Sequence, residues 1–362
     1  MWQRKSDNRW CERITINGKK KLITAKSKAE LSKKLKDAST FAEHGRTFAE
    51  CAEAWEDAHE QTLEHKTVQT YRPHVKRATE HFEGKYVKDI TPDEIQAYID
   101  QLGRMRFASG TVHRSLGVLN MIFNWEILQP DASIRFNPCA AVRVPKNLPK
   151  SRREPPTEEQ IAKITPDKEM GLFAYFLLYT GLRRGELLAL KWEDIDFENH
   201  VINVKQAVTY GGNQPKIKAP KTQAGIRKVA LLDVLESVLP RNRKGYVFGG
   251  NKPLTASQIR VRWLEWCKEI GLAEADTNRY KAKNNRVYTK TKWHPLITPH
   301  QFRHEYASML EDAGIGEFDA MNQLGHASIT VTKDIYTHIR ERKSGKNVAD
   351  KLNAYIEEKS KK

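Results

Sequence analysis

Near the C-terminus of this 362-residue chain, Thr298-Pro299-His300-Gln301-Phe302-Arg303-His304 is followed by Leu324-Gly325-His326 and then by Tyr336. Far upstream stands Thr180-Gly181-Leu182-Arg183-Arg184-Gly185-Glu186-Leu187. Two guanidiniums can fork onto phosphate oxygens, two imidazoles can hydrogen-bond or move protons, and a phenol can attack phosphorus. Taken singly, each has a plainer explanation: a satisfied structural histidine, or a surface ion pair between Arg183 and Glu186. Together they describe a phosphoryl-transfer site with its own nucleophile.

Elements must place these groups. Phe173 to Leu178 is an apolar, helix-like run broken at Thr180-Gly181-Leu182, so Arg183 falls at a turn before a second helix. Glu186, three residues on, shares its helical face and can orient the guanidinium. A helix begun at Thr298-Pro299 puts His300 and Arg303 on one face, with Tyr306, Ala307, Leu310 and Ala313 as its apolar contacts. His326 follows a glycine-made break, and the residues from Ala327 to Ile335 fold back as a short helix that presents Tyr336. Between the two halves, Val201 to Val208 and Gly225 to Leu232 read as strands, separated by polar sequence that holds Lys216, Lys218 and Lys221.

The rest of the chain divides by composition. Residues 1–46 carry thirteen Lys and Arg against five Asp and Glu, almost half of the overall formal charge of +17. Trp10 to Ile16 and Lys20 to Ala25 read as strands joined through Asn17-Gly18, and Ser27-Lys28-Ala29-Glu30 is a capping box that opens a lysine-rich helix. Such a basic sheet, with Lys19, Lys20 and Lys21, could lie in a DNA groove; a solvated leader is the plainer alternative. From Thr47 to about Leu128 the periodicity predicts four helices, with starts at Thr47-Phe48-Ala49-Glu50 and Thr91-Pro92-Asp93-Glu94. Val112, Leu116, Leu119 and Phe123 form a buried stripe there, while Arg104, Arg106, His113 and Arg114 face either phosphates or solvent.

Residues 137–156, rich in proline and basic residues, read as a linker in which helices cannot run. Its cations, Arg152 and Arg153 among them, either complete a clamp on the duplex or belong to a simple tether. Thr157-Glu158-Glu159-Gln160 opens the last domain, 157–362. The fold class expected is mixed α+β and mainly helical: a sheet-plus-helix segment over 1–46, a helical domain over 47–136, and a mainly α domain with a small antiparallel sheet.

Charge of this sign points to phosphate backbones as partners. Cys11, Cys51, Cys139 and Cys267 show neither metal-binding nor disulfide spacing, and no apolar run reaches bilayer length. A cytoplasmic protein is expected. The sequence shows no glycine-rich phosphate loop, no paired carboxylates for two metals and no His-Glu-x-x-His zinc pattern, so neither a metal nor a cofactor is expected.

The residues of the candidate site, in their order, resemble the tyrosine recombinase family, the phage-type integrases, whose pattern runs Arg, Lys, His-x-x-Arg, His or Trp, Tyr. The resemblance implies Arg183 as the first catalytic arginine with Glu186 in support, and His300, Arg303 and His326 around the phosphate. Tyr336 takes the place of the nucleophile that forms a 3′-phosphotyrosyl bond. It also implies a catalytic lysine on the hairpin; Pro220-Lys221-Thr222 matches best, with Lys218 and Lys228 as alternatives. Glu305 stands where the family more often has threonine. By the same resemblance, 1–46 is an arm-binding domain and 47–136 a core-binding domain. The expected partners are double-stranded attachment sites, three further copies in a homotetramer on two duplexes joined through a Holliday junction, an excisionase and a host DNA-bending protein. The residues after Tyr336 either pack on a neighbouring protomer or fold back. A type IB topoisomerase and a non-catalytic DNA-binding regulator are the competing readings.

Overall fold

The computed structural model describes residues 1–16, 19–60, 65–149, 154–219, 225–281, 287–337 and 339. The chain forms two compact units, Met1–Arg152 and Arg153–Lys362.

In the first unit, β1 (Trp2–Gln3), β2 (Trp10–Ile16) and β3 (Lys19–Ala25) make an antiparallel sheet in the order β1-β2-β3. The strand β1, pairing Trp2 with Cys11, was not legible in the sequence. Helix α1 (Lys28–His44) starts where Ser27 Oγ accepts from the Glu30 amide at 3.1 Å. Asn17-Gly18 lies outside the described residues.

The four helices expected over 47–128 are α2 (Phe48–Glu60), α3 (His65–His81), α4 (Pro92–Arg104) and α5 (Ser109–Ile127). They enclose Phe48, Trp55, Phe82, Ile95, Val112, Leu119 and Phe123, all buried. A carboxylate lies within this apolar interior. Glu126 on α5 is fully buried and is held by Arg46 Nη1 at 3.0 Å and by the Ser133 amide at 3.2 Å. Arg46 also grips Asp131 through Nη2 at 2.8 Å, so one arginine fastens the segment after α1 to the far end of α5.

The proline-rich stretch is more ordered than a tether through residue 149. Pro138–Ala141 forms a short 3-10 helix, Asn137 Nδ2 donates to Asn120 and Asn124 side chains at 2.6 and 2.7 Å, and the Ser109 amide donates to Pro149 O at 2.8 Å. Arg152 and Arg153 lie outside the described residues.

The second unit opens with α6 (Glu158–Ala162), whose Thr157 cap accepts from the Gln160 amide, followed by α7 (Glu169–Thr180) and α8 (Arg184–Ala189). Strands β4 (Ile195–Asp196), β5 (Val201–Val204) and β8 (Arg227–Ala230) form one antiparallel sheet, and β6 (Ala207–Gly211) pairs with β7 (Gln214–Lys218) in another. The single strand expected over Val201 to Val208 is thus two, interrupted at Lys205-Gln206. After α9 (Asp233–Glu236) and α10 (Ala256–Glu269) come two nine-residue strands, β9 (Ala273–Lys281) and β10 (Val287–Pro295). Helices α11 (Pro299–Asp312) and α12 (Glu317–Leu324) follow, and residues 329–337 are helical. The core packs Phe173, Phe176 and Leu177 of α7 against Phe248, Trp263 of α10 and Phe302 of α11. No helix among the described residues is long and apolar enough to cross a membrane.

Candidate functional site

A helix C-terminus leaves carbonyls without intrahelical partners and concentrates partial negative charge. At the end of α12 these carbonyls receive three arginines from three different elements. Arg227 of β8 donates through Nε to Gln323 O at 2.9 Å, Arg303 of α11 through Nη2 to Leu324 O at 2.5 Å, and Arg183, the N-cap of α8, through Nη2 to Gly325 O at 2.9 Å. Gly325 ends the helix at φ 65°, and a Cβ there would meet Arg227 Nη1 at 2.7 Å. Glycine is what lets the third guanidinium in. Arg303 also donates through Nη1 to Gly181 O at 2.8 Å, the left-handed residue that closes α7.

Like charges this close need a counter-ion, and Glu186 supplies it. Its two oxygens accept from Arg227 Nη1 and Nη2 at 3.2 and 2.9 Å, and from the Arg183 guanidinium and amide at 2.8 and 2.9 Å. Burial pushes this carboxyl up, yet the hydrogen bonds and charge of Arg227, joined by Arg183, hold it below the usual carboxylate range. Three guanidiniums against one carboxylate leave two positive charges uncompensated. Burial, reinforced by Arg183 and Arg227, pushes Arg303 down to about 9, so it stays protonated at neutral pH. The Arg303 and Arg227 side chains are buried, while that of Arg183 is 45% exposed. Arg183 is the fork that solvent, or a ligand, can reach.

His326 lies one residue past Gly325 and is buried. Its Nδ1 is 2.8 Å from Thr332 Oγ1, a hydroxyl inside the helical segment 329–337. With Thr332 donating, the imidazole proton sits on Nε2 and remains available as a donor. Burial, then Arg303, Arg183 and Arg227, pushes His326 down to about 4, so the ring is neutral at pH 7. His300 is exposed on the first turn of α11, its ring edge-on to His304 at 4.9 Å between centroids.

Tyr336 occupies a different place from the arginines' forks. It is 1% exposed, packed with Ala320 and Ile339, and its hydroxyl donates to Ile315 O at 3.3 Å. A duplex phosphate cannot reach it there.

Arg183, Glu186, Arg303 and His326 are thus gathered around the end of α12, with Arg227 added. The sequence held one signal for Arg227: on a strand of period two, Arg227, Val229 and Leu231 share a face, and Val229 and Leu231 are buried. A cation on the inward face of a strand calls for a buried partner. Lys228, on the opposite face, is exposed. Lys221 lies outside the described residues, as does the chain after 339. Of the other cations considered for DNA, Lys20, Arg104 and Arg114 are exposed, and Lys19 and Lys21 lie on β3. For a metal, the one grouping of ligand types among the described residues is His200, Asp233 and Glu236; there Glu236 is taken by His200 at 2.7 Å and Arg241 at 2.8 Å.

Comparison with known proteins gives two family matches. The phage integrase family matches residues 158–343, and its N-terminal SAM-like domain matches residues 47–103. A tyrosine recombinase XerC-like protein of Caldanaerobacter subterraneus subsp. tengcongensis is 29% identical over 293 residues, covering 74% of this chain and 72% of that protein. The ICEBs1 integrase of Bacillus subtilis is 25% identical over 296 residues, covering 76% and 74%. Among solved structures, the Tn1549 transposon integrase in complex with circular intermediate DNA has a TM-score of 0.60 at 22% identity, covering 80% of this chain and 95% of that one. A lambda integrase tetramer bound to a Holliday junction has a TM-score of 0.53 at 18% identity, covering 91% and 96%.

Proposed function

The chain belongs to the phage integrase family and is a tyrosine-type site-specific DNA recombinase of a phage or mobile element; from that premise, we propose that the residues around the end of α12 carry its chemistry. Tyr336 attacks the scissile phosphorus in line, its Oη–P bond forming as the P–O5′ bond breaks. The DNA is left joined to protein through a 3′-phosphotyrosyl bond, with a free 5′-hydroxyl. His300 assists removal of the phenol proton, and Lys221 gives a proton to the departing oxygen. Arg183 and Arg303, with the Nε2–H of His326, take up the charge that builds on the non-bridging oxygens.

The observation that carries this reading is the convergence of three arginines on the carbonyls of Gln323, Leu324 and Gly325, two of them also held by the Glu186 carboxylate. Its excess of two positive charges equals the two negative charges of a phosphodiester and an attacking phenolate. The retained phosphotyrosyl bond lets a 5′-hydroxyl from a second duplex reverse the step, which exchanges strands. Four copies on two duplexes, passing through a Holliday junction, complete the proposed cycle. Residues 1–46 would bind arm-type DNA, 47–136 the core site, and residues 157–362 would catalyse. An excisionase and a host DNA-bending protein would set direction, on the bacterial nucleoid.

The test is trapping of a covalent adduct on nicked fragments of the DNA that flanks the gene. Wild type yields a band on a denaturing gel and Tyr336→Phe yields none, although both retard the DNA equally. An adduct that persists in Tyr336→Phe removes the assignment. Relaxation of a supercoiled plasmid lacking attachment sites would favour topoisomerase behaviour instead.

A further inference from the structure

Strands β9 and β10 form a two-stranded antiparallel ribbon, in register from Ala273 opposite Pro295 to Lys281 opposite Val287. At roughly 3.3 Å per residue it is about 30 Å long. Its base is fixed: the Leu296 amide donates to Leu272 O at 2.9 Å, Trp263 Nε1 donates to Ile297 O at 3.1 Å, and the Lys268 ammonium lies 5.3 Å from the Trp293 ring centroid. Beyond the base, Glu274 to Thr277, Thr289 and Thr291 to Trp293 are all exposed. Neither outer edge pairs with another strand among the described residues.

A lone hairpin is marginal in water, and free edges invite unwanted pairing. The exposed residues near its base lie on both faces, so the ribbon is an element awaiting a partner. Charge says which. Its two acids, Glu274 and Asp276, stand within the first four residues of β9, and Asp276 is opposite Lys292. The outer positions hold Arg279, Lys281 and Lys290 with no acid among the strand residues. A cluster of cations of this kind draws in a polyanion.

We propose that the β9–β10 ribbon is a DNA-docking element that enters the major groove of the duplex, whose width of about 12 Å admits a two-stranded ribbon, with its cationic positions serving the two flanking phosphate backbones. The inference rests on the recombinase reading for its duplex partner and is independent of which residues cut.

The experiment compares the full-length chain with Arg279→Gln/Lys281→Gln/Lys290→Gln and with the charge-keeping Lys281→Arg/Lys290→Arg. Affinity for a duplex of random sequence is measured across salt concentrations. The neutralised chain should lose about 0.9 from the slope of log K against log[salt] for each phosphate contact removed, and the charge-keeping chain should retain the slope. A photo-crosslinking side chain at Thr289, an exposed position on the ribbon, should join to DNA. An unchanged slope together with no crosslink to DNA overturns the proposal, and a crosslink only to a second protein chain overturns it in favour of a protomer contact. A changed slope with no covalent adduct on nicked DNA leaves the ribbon assigned and counts against the catalytic reading alone.

Discussion

Replacing Arg227 by alanine leaves the buried Glu186 carboxylate with one guanidinium where it had two, and leaves Gln323 O without its donor. Removing one partner of a buried ion pair costs about 3 kcal/mol or more, so a loss of that size is expected in urea unfolding. Because Glu186 and the Gly325 turn hold Arg183, adduct formation should fall on the order of 100-fold, as small misplacements in an active site do. DNA affinity, set by many phosphates, should change far less; an equal loss in both would make Arg227 structural only. Gly325→Ala should act in the same direction, through a left-handed backbone cost of about 1 to 2 kcal/mol and the clash with Arg227. His326 gives a pH test. Its folded value of about 4 lies below the ordinary 6.5, so between those values the unfolded chain binds the proton and the folded chain does not. Stability is therefore fully present above pH 6.5 and is lost as pH falls toward 4, at up to about 1.4 kcal/mol per pH unit. His74, buried against Ser115 and also pushed down to about 4, adds to the same trend. The difference between wild type and His326→Gln in unfolding free energy, followed over that window, isolates the His326 share; parallel curves would refute it.

At the scale of elements, α12 works as a socket: its last carbonyls fix three side chains that arrive from α8, β8 and α11. The joint at Glu126 does the same for the first unit, where one arginine ties the segment after α1 to α5 and the loop beyond it. Arg46→Ala should strip that buried carboxylate and destabilise the first unit by about 3 kcal/mol, seen as an earlier loss of its cleavage protection in limited proteolysis. Equal protection in mutant and wild type would place Glu126 among groups that water satisfies. Capping boxes at Thr91 and Thr157, the Ser27 N-cap (whose Glu30 partner turns instead to the Lys26 amide), the four-helix periodicity and the glycine breaks at Gly181 and Gly325 were all legible in the sequence, since each is a local rule. So were Arg183, Glu186, Arg303 and His326 as companions, because their order is a family pattern. The ribbon and Arg227 were not. The ribbon lacks the apolar alternation that marks a strand packed on a core, and Arg227 becomes meaningful only when a carboxylate forty-one residues away in sequence is brought to it. The break in the Val201 to Val208 strand likewise follows from tertiary pairing: β5 answers to β8, and β6 to β7.

The whole molecule carries +17, and its affinity for duplex DNA should fall steeply with salt. A chain contacting about six to ten phosphates weakens on the order of 1,000-fold or more between about 50 and about 200 mM salt; Tyr336→Phe should trace the same line, because the phenol neutralises no phosphate. A shallower line for that variant would mean that the tyrosine also shapes the DNA interface. The seat of Tyr336, between Ala320 and Ile339 with its hydroxyl on Ile315 O, has a consequence for the cell that hosts the element. A protein so basic samples chromosomal DNA at random, and an accessible phenol would convert some of those encounters into strand breaks. If Tyr336 is the nucleophile proposed above, its burial would make surplus copies harmless passengers on the genome, with the rate of accidental nicking following how often the sheath is drawn rather than how much protein is made.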